Sequence, residues 1–112
     1  MAANISDCIE VIDWDDKQGV LPDVFTVVNA TSLGMIGKPP LEIDLTNVNP
    51  DALVTDLIYA PLETQLLKDA RARGCEAVSG IGMLLHQGVP GFEAWFGHRP
   101  AVDEELEALV LT

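Results

Sequence analysis

The hydrophobic positions of the chain form four short apolar segments and three longer periodic ones. The short segments are rich in β-branched residues and carry little polar alternation, and the run VFTVVN is the clearest example. They predict strands at Cys8–Trp14, Val24–Asn29, Leu53–Tyr59 and Cys75–Ser79. Strands of this kind are typical of sheets that are covered on both faces, and such sheets are usually parallel. We therefore expect an α/β domain with about four parallel strands and flanking helices.

Helical periodicity is clearest between the third and fourth predicted strands, at about Leu62–Arg73. Pro61 suits the first turn of this helix, because a backbone N–H there has no intrahelical partner and its absence in proline costs nothing. Gly74 suits the C-terminal stop. The order strand, helix, strand predicts a βαβ unit. Two further helices are predicted at about Ile81–Phe96, ended by Gly97, and at about Asp103–Leu111.

The stretch Thr31–Pro50 has a different character. Glycines and prolines recur in it too often for a long helix or strand, at Gly34, Gly37, Pro39, Pro40 and Pro50. We expect a loop, and loops of this length in a compact domain are usually functional or disordered.

Polar residues follow three of the predicted strands, where an open α/β sheet binds its ligands. Asn29-Ala30-Thr31-Ser32 ends the second strand, Asp56 and Tyr59 end the third, and a segment from Ser79 to Gln87 follows the fourth. Purely structural interpretations remain open for each group. The first could be a turn whose hydroxyls bond nearby backbone, Asp56 a buried or helix-capping acid, Tyr59 and Met83 packing residues, and Gln87 a solvated side chain.

Composition limits the classes of function. The 112 residues include 6 basic and 18 acidic side chains, giving a net charge of −12, and 48% are apolar. This length and composition predict one folded unit, and the charge disfavours nucleic acid and anionic membranes as partners. Cys8 and Cys75 are predicted to be buried free thiols. No apolar run is long enough to span a bilayer and no leader is visible, so we expect a cytoplasmic protein.

No metal site is expected, because His86 and His98 have no ligand-like spacing to other possible ligands. Nor does the sequence show an arrangement typical of nucleophilic catalysis.

Three motifs together resemble one enzyme family. NATSLGM, DLIYAPLETQLLKDARARG and SGIGMLLHQGVPGFEAWFG, in this order and spacing, resemble the C-terminal part of shikimate dehydrogenase from about Cys8 onward. The resemblance implies an incomplete Rossmann-like domain over residues 1–112, with NADP as cofactor. It also implies reversible reduction of 3-dehydroshikimate to shikimate, a step toward aromatic amino acids.

The resemblance also implies roles for individual residues. Those facing the cofactor would be Asn29, Ala30, Thr31, Ser32, Leu57, Gly80 and Met83, and those reaching the substrate would be Tyr59 and Gln87. No residue of this sequence is assigned a catalytic role. The family's substrate domain, with its catalytic lysine and aspartate, and its glycine-rich pyrophosphate loop have no counterpart in the 112 residues. We therefore expect no activity from the chain alone, and weak or absent NADP binding.

The same resemblance leaves Val24–Asn29 without its usual neighbouring strand. We expect Cys8–Trp14 to pair with this edge, or the edge to pair with another copy or with a missing N-terminal part. The alternative function is a non-catalytic Rossmann-like module that assembles with a partner chain or with itself. The sequence does not distinguish NADP from NAD, or shikimate from quinate.

Overall fold

The computed structural model describes residues 6–111. A 3₁₀ segment (Trp14–Asp23) precedes three strands and three α-helices. In chain order these are β1 (Thr26–Asn29), β2 (Leu53–Asp56), α1 (Gln65–Ala72), β3 (Glu76–Val78), α2 (Ile81–Phe96) and α3 (Glu104–Leu111).

The three strands form one parallel sheet in the order β1-β2-β3. Thr26 lies opposite Leu53 and Asn29 opposite Asp56, so β1 and β2 end at the same level. Helix α1 connects β2 to β3 and packs against both. The α/β class, the parallel pairing and the βαβ unit are thus confirmed.

The predicted strand at Cys8–Trp14 is wrong, and the sheet has three strands instead of about four. This segment is irregular, Trp14 already belongs to the 3₁₀ segment, and Val11 is 75% exposed. A strand exists only where a partner takes its backbone hydrogen bonds, and the segment pairs with no strand among residues 6–111. The expected pairing with Val24–Asn29 therefore does not form. Cys8 is exposed rather than buried, whereas Cys75 is a buried free thiol as predicted.

Helix α1 begins later than predicted, because Thr64 is its N-cap. The Thr64 backbone is extended, and its hydroxyl oxygen accepts a hydrogen bond from the Leu67 N–H, as is typical of capping threonines. Pro61 thus precedes the helix instead of lying in its first turn. Gly74 follows the helix with a φ of +82°, the left-handed conformation of a C-terminal stop.

The bounds predicted for the last two helices agree closely with the structure. Helix α2 spans the predicted residues and ends at Gly97, whose φ is +67°. Helix α3 begins one residue later than predicted, because the Asp103 carboxylate accepts from the Leu106 N–H at 2.9 Å and serves as a cap. None of the helices found among residues 6–111 has the length and apolarity that a membrane span requires.

The core lies on one face of the sheet. Its buried members come from the 3₁₀ segment, from the predicted loop, which has no helix or strand, from β2 and α1, and from the residues just before β2 and β3: Leu21, Leu45, Val48, Ala52, Val54, Leu66, Ala70 and Cys75. On the opposite face Val28 is 50% exposed and Val78 43% exposed. The expectation that both faces are covered is therefore wrong for the described residues, and one face of the sheet is open.

Candidate functional site

The carboxyl ends of the three strands lie along one edge of the sheet, which we call the carboxyl edge. Asn29 ends β1, Asp56 ends β2, and Val78 ends β3 just before Gly80 and α2. Because the strands are parallel and in register, the polar segments that follow them are brought to the same edge. The structure thus places the three groups of predicted site residues along the carboxyl edge of the sheet.

The Asn29 side chain is buried and its hydrogen-bonding capacity is fully used. Its Nδ2 donates to the Leu33 carbonyl and to the Asp56 carboxylate, both at 3.1 Å. Its Oδ1 accepts from the Thr31 N–H at 3.1 Å and from the Thr31 hydroxyl at 2.7 Å. A primary amide has two donor and two acceptor positions, so none remains for a ligand. Asn29 therefore shapes the turn that follows β1.

Asp56 is the centre of this network. The residue is 1% exposed, and Oδ1 accepts from Asn29 Nδ2 and from the Ile58 N–H, which lies at 3.0 Å. Oδ2 accepts from the Thr64 hydroxyl at 2.7 Å. Within residues 6–111 no lysine or arginine pairs with it, so these hydrogen bonds stabilise the buried side chain. The interpretation of Asp56 as a buried, hydrogen-bonded acid is thus confirmed.

Thr64 joins this carboxylate to α1, and the sequence reasoning missed it. Its hydroxyl donates to Asp56 and accepts from Leu67, so one side chain both caps the helix and holds the end of β2. A signal was present, since threonine just before an amphipathic run is a common N-cap. The end of β1, the end of β2 and the start of α1 are therefore fixed to one another.

Gly80 lets the start of α2 lie against the backbone that follows β2. A Cβ atom at this position would be 2.5 Å from the Leu57 carbonyl oxygen and 2.7 Å from that of Ile58. The Gly80 N–H donates to the Ile58 carbonyl at 3.3 Å. The absence of a side chain thus serves a close approach between two backbone segments, and this contact sets the position of α2.

The remaining candidate residues are accessible. Tyr59 is 47% exposed and Met83 40% exposed, and Ala30, Thr31, Ser32 and Gln87 are also exposed, while Leu57 is half-buried. Met83 and Gln87 are four residues apart on α2 and so lie on one face of the helix. The carboxyl edge therefore combines a buried hydrogen-bond network with exposed side chains next to it.

Known proteins resemble this chain in both sequence and fold. A family model described as the shikimate 5'-dehydrogenase C-terminal domain matches residues 80–109. The shikimate dehydrogenase (NADP(+)) of Cereibacter sphaeroides is 58% identical over 103 residues, which cover 92% of this chain and 37% of that protein.

Solved structures give the same result. Quinate dehydrogenase from Corynebacterium glutamicum in complex with NAD is 37% identical with a TM-score of 0.79, over 89% of this chain and 35% of that one. Shikimate 5-dehydrogenase from Listeria monocytogenes, in complex with shikimate and NAD, is 28% identical with a TM-score of 0.77. That match covers 98% of this chain and 39% of the other. The chain thus spans little more than a third of the length of these relatives. By sequence and by fold, it belongs to the shikimate dehydrogenase family, to whose C-terminal part it corresponds.

Proposed function

We propose that this chain forms the cofactor-facing C-terminal part of an NADP-dependent shikimate dehydrogenase and is inactive alone. The observation that carries the proposal is the carboxyl edge. There a buried hydrogen-bond network and the close contact at Gly80 hold exposed loop and helix residues in fixed positions. Preorganised geometry of this kind is what hydride transfer requires, because both reactants must be held close and aligned.

The proposed roles divide between two groups of residues. The turn Asn29–Ser32, with Leu57, Gly80 and Met83, would form one wall of the dinucleotide site. Because the Asn29 amide is saturated, the exposed Thr31 and Ser32 would make the contacts that Asn29 orients. Tyr59 and Gln87 would reach the substrate from the same edge, and both are exposed.

Lack of activity in the isolated chain follows from the chemistry of the reaction. Reduction of 3-dehydroshikimate needs a proton donor next to the carbonyl as well as a bound dinucleotide. The exposed residues assigned here to the cofactor and substrate offer an amide, hydroxyls, a phenol and a thioether, and the family's catalytic lysine and aspartate are not among them. The proton donor is therefore proposed to come from the rest of the enzyme.

The test is a complementation assay. The purified 112-residue chain should show no shikimate-dependent reduction of NADP. Mixing it with the remaining N-terminal part of the Cereibacter sphaeroides enzyme should restore turnover. With a Gln87→Ala chain in the mixture, the kcat/KM for shikimate should be lower by about tenfold or more than with the wild-type chain. A tenfold loss corresponds to about 1.4 kcal/mol of lost substrate binding.

A matched control is Gln18→Ala, which removes the same side chain from an exposed position outside the carboxyl edge. This control should restore full activity. Turnover by the chain alone would contradict the claim of inactivity. Equal restoration by the Gln87→Ala and Gln18→Ala chains would contradict the substrate role of Gln87.

A second candidate is a non-catalytic module that assembles with a partner chain or with itself, and the open face of the sheet favours it. Parallel sheets occur almost only with both faces covered, yet Val28 and Val78 are exposed on this face. Helix α2 separately exposes Trp95 (81%) and Phe96 (69%). Large exposed apolar surfaces usually mark an interface.

Sedimentation analysis tests assembly through the open face. We expect the chain to associate as its concentration rises, because burying this face removes apolar area from water. Val78→Lys should shift the distribution toward the 12.1 kDa monomer, whereas Ala72→Lys, at an exposed position on α1, should not. A chain that stays monomeric at every concentration would exclude self-assembly and leave only the partner-chain form of this candidate.

A further inference from the structure

The irregular segment 57–63 connects β2 to α1, and we call it the β2–α1 loop. It carries two of the residues assigned above, Leu57 toward the cofactor and Tyr59 toward the substrate. Tyr59 is 47% exposed. The loop begins after Asp56, which ends β2, and leads to Thr64, the N-cap of α1. The position of Tyr59 therefore depends on what holds the two ends of this loop.

One side-chain hydrogen bond closes the β2–α1 loop at its base. The Thr64 hydroxyl donates to Asp56 Oδ2 at 2.7 Å, and the two residues are 2% and 1% exposed. Because both groups are buried, water does not compete for this bond as it does at a surface. Asp56 Oδ1 accepts from the Ile58 N–H at 3.0 Å, so the same carboxyl group also fixes the backbone one residue before Tyr59. The closure is made wholly by residues of this chain.

Backbone hydrogen bonds hold the loop on both sides of Tyr59. The Ile58 carbonyl accepts from the N-cap N–H of α2 at 3.3 Å, and the Ala60 carbonyl accepts from the Ile36 N–H at 3.0 Å. Among the described residues, the next hydrogen bond along the loop that involves a buried residue is that of Thr64. The C-terminal end of the loop is therefore held by Thr64.

We propose that Thr64 is a positioning residue for the reaction, acting through the β2–α1 loop on Tyr59. This inference rests on the substrate role proposed for Tyr59. Without the hydrogen bond to Asp56, the C-terminal half of the loop gains conformations, and Tyr59 spends less time in the geometry that contacts the substrate. Misplacement of a contacting group by about 1 Å can lower a rate about a hundredfold, so a loose loop is costly.

Thr64 also has a structural role, which has to be separated from the proposed one. Its hydroxyl oxygen accepts from the Leu67 N–H at 3.5 Å, and loss of this cap weakens α1. The distance of 2.7 Å to Asp56 is usual for an O–H···O hydrogen bond, whereas 3.5 Å is long for an N–H···O one. The bond to Asp56 is thus the stronger of the two.

Three variants distinguish loop closure from helix capping. Thr64→Val keeps the branched shape of threonine but removes the hydroxyl, and Thr64→Ser keeps the hydroxyl. Lys68→Gly weakens α1 at an exposed position of the helix and leaves the loop-closing bond intact. An effect of helix stability alone would appear in the Lys68→Gly chain as well as in the Thr64→Val chain.

The backbone motion of Tyr59 is measured in the 112-residue chain. Tyr59 is the only tyrosine in the sequence, so labelling tyrosine with nitrogen-15 gives a single amide signal. We expect an order parameter of about 0.85 in the wild-type, Thr64→Ser and Lys68→Gly chains, and a value below about 0.6 in Thr64→Val. Circular dichroism shows whether each chain is folded, and sucrose stabilises the folded state if Thr64→Val requires it.

A double-mutant cycle in the complementation assay tests whether Thr64 acts through Tyr59. Thr64→Val should lower the kcat/KM for shikimate about tenfold when Tyr59 is present. In a Tyr59→Phe chain the same substitution should lower it by less than about twofold, because no hydroxyl remains to be positioned. Weaker folding would instead lower kcat/KM by the same factor in both backgrounds.

The proposal fails if Thr64→Val leaves the Tyr59 order parameter unchanged, if it lowers kcat/KM equally in both backgrounds, or if Lys68→Gly matches it in either measurement. Tyr59→Phe alone tests the proposed function. A kcat/KM equal to that of the wild type would contradict the substrate role of Tyr59, and with it the role of Thr64 in the reaction. The order parameter does not depend on activity, so it decides the positioning of Tyr59 by Thr64 even if mixing restores no turnover.

Discussion

Replacement of Asp56 by alanine should lower the free energy of unfolding by about 3–5 kcal/mol. The substitution leaves the Asn29 amide, the Ile58 N–H and the Thr64 hydroxyl without their shared acceptor in a buried place. Each unsatisfied buried donor costs about 1–3 kcal/mol, and water entering the vacated space offsets part of the sum. For a domain of ordinary stability this loss is a large fraction of the total.

Urea unfolding followed by far-ultraviolet circular dichroism measures this effect. Asp51→Ala is the matched control, because it removes the same carboxylate from an exposed position just before β2 and should change stability by less than about 0.5 kcal/mol. Asp56→Asn should fall between the wild type and Asp56→Ala, because it keeps one acceptor oxygen. Equal stabilities of the Asp56→Ala and Asp51→Ala chains would show that the network does not hold the sheet ends together.

Gly80→Ala should destabilise the chain by about 2–3 kcal/mol or displace the start of α2. The added methyl would meet two backbone carbonyls, which cannot rotate away as a side chain could. The contact can be relieved only if α2 moves away from the segment after β2. Met83 and Gln87 would then move with the helix, so both stability and the carboxyl edge would be affected.

Gly82→Ala is the control for this substitution. It adds the same methyl two residues later, inside α2, where no atom lies within 4 Å of the new Cβ. Alanine favours a helix interior over glycine by about 1 kcal/mol, so this chain should unfold at a slightly higher temperature than the wild type. The close contact between Gly80 and the backbone after β2 would be contradicted by two results together. They are equal stability of the Gly80→Ala and Gly82→Ala chains, and unchanged NMR resonances of the Met83 and Gln87 backbone amides.

Local patterns predicted those elements whose partners lie nearby in sequence. The βαβ unit from β2 to β3 follows from apolar runs separated by one amphipathic helix, and α2 is bounded by glycine. Cys8–Trp14 shows the limit of such reasoning. Its composition is typical of a strand, but pairing depends on a neighbour that no local pattern specifies.

The carboxyl edge was predictable in position but not in its interactions. Strand ends and ligand sites coincide in open α/β sheets, so the polar segments could be located from sequence. Which side chain bonds which group depends on register, and register places Asn29 opposite Asp56. The family resemblance implies that Gly80 faces the cofactor, but only the fold identifies the atoms that crowd this position as the backbone at Leu57 and Ile58.

The saturated amide of Asn29 makes that position intolerant of a one-atom change. Conversion of the amide to an acid, by mutation or by slow deamidation, would replace the nitrogen that donates to Asp56 with an oxygen. Two carboxylates would then face each other about 3 Å apart in a buried place, where their like charges repel each other. Chemical ageing at this residue would therefore unlock the ends of β1 and β2 without altering the size of a single side chain.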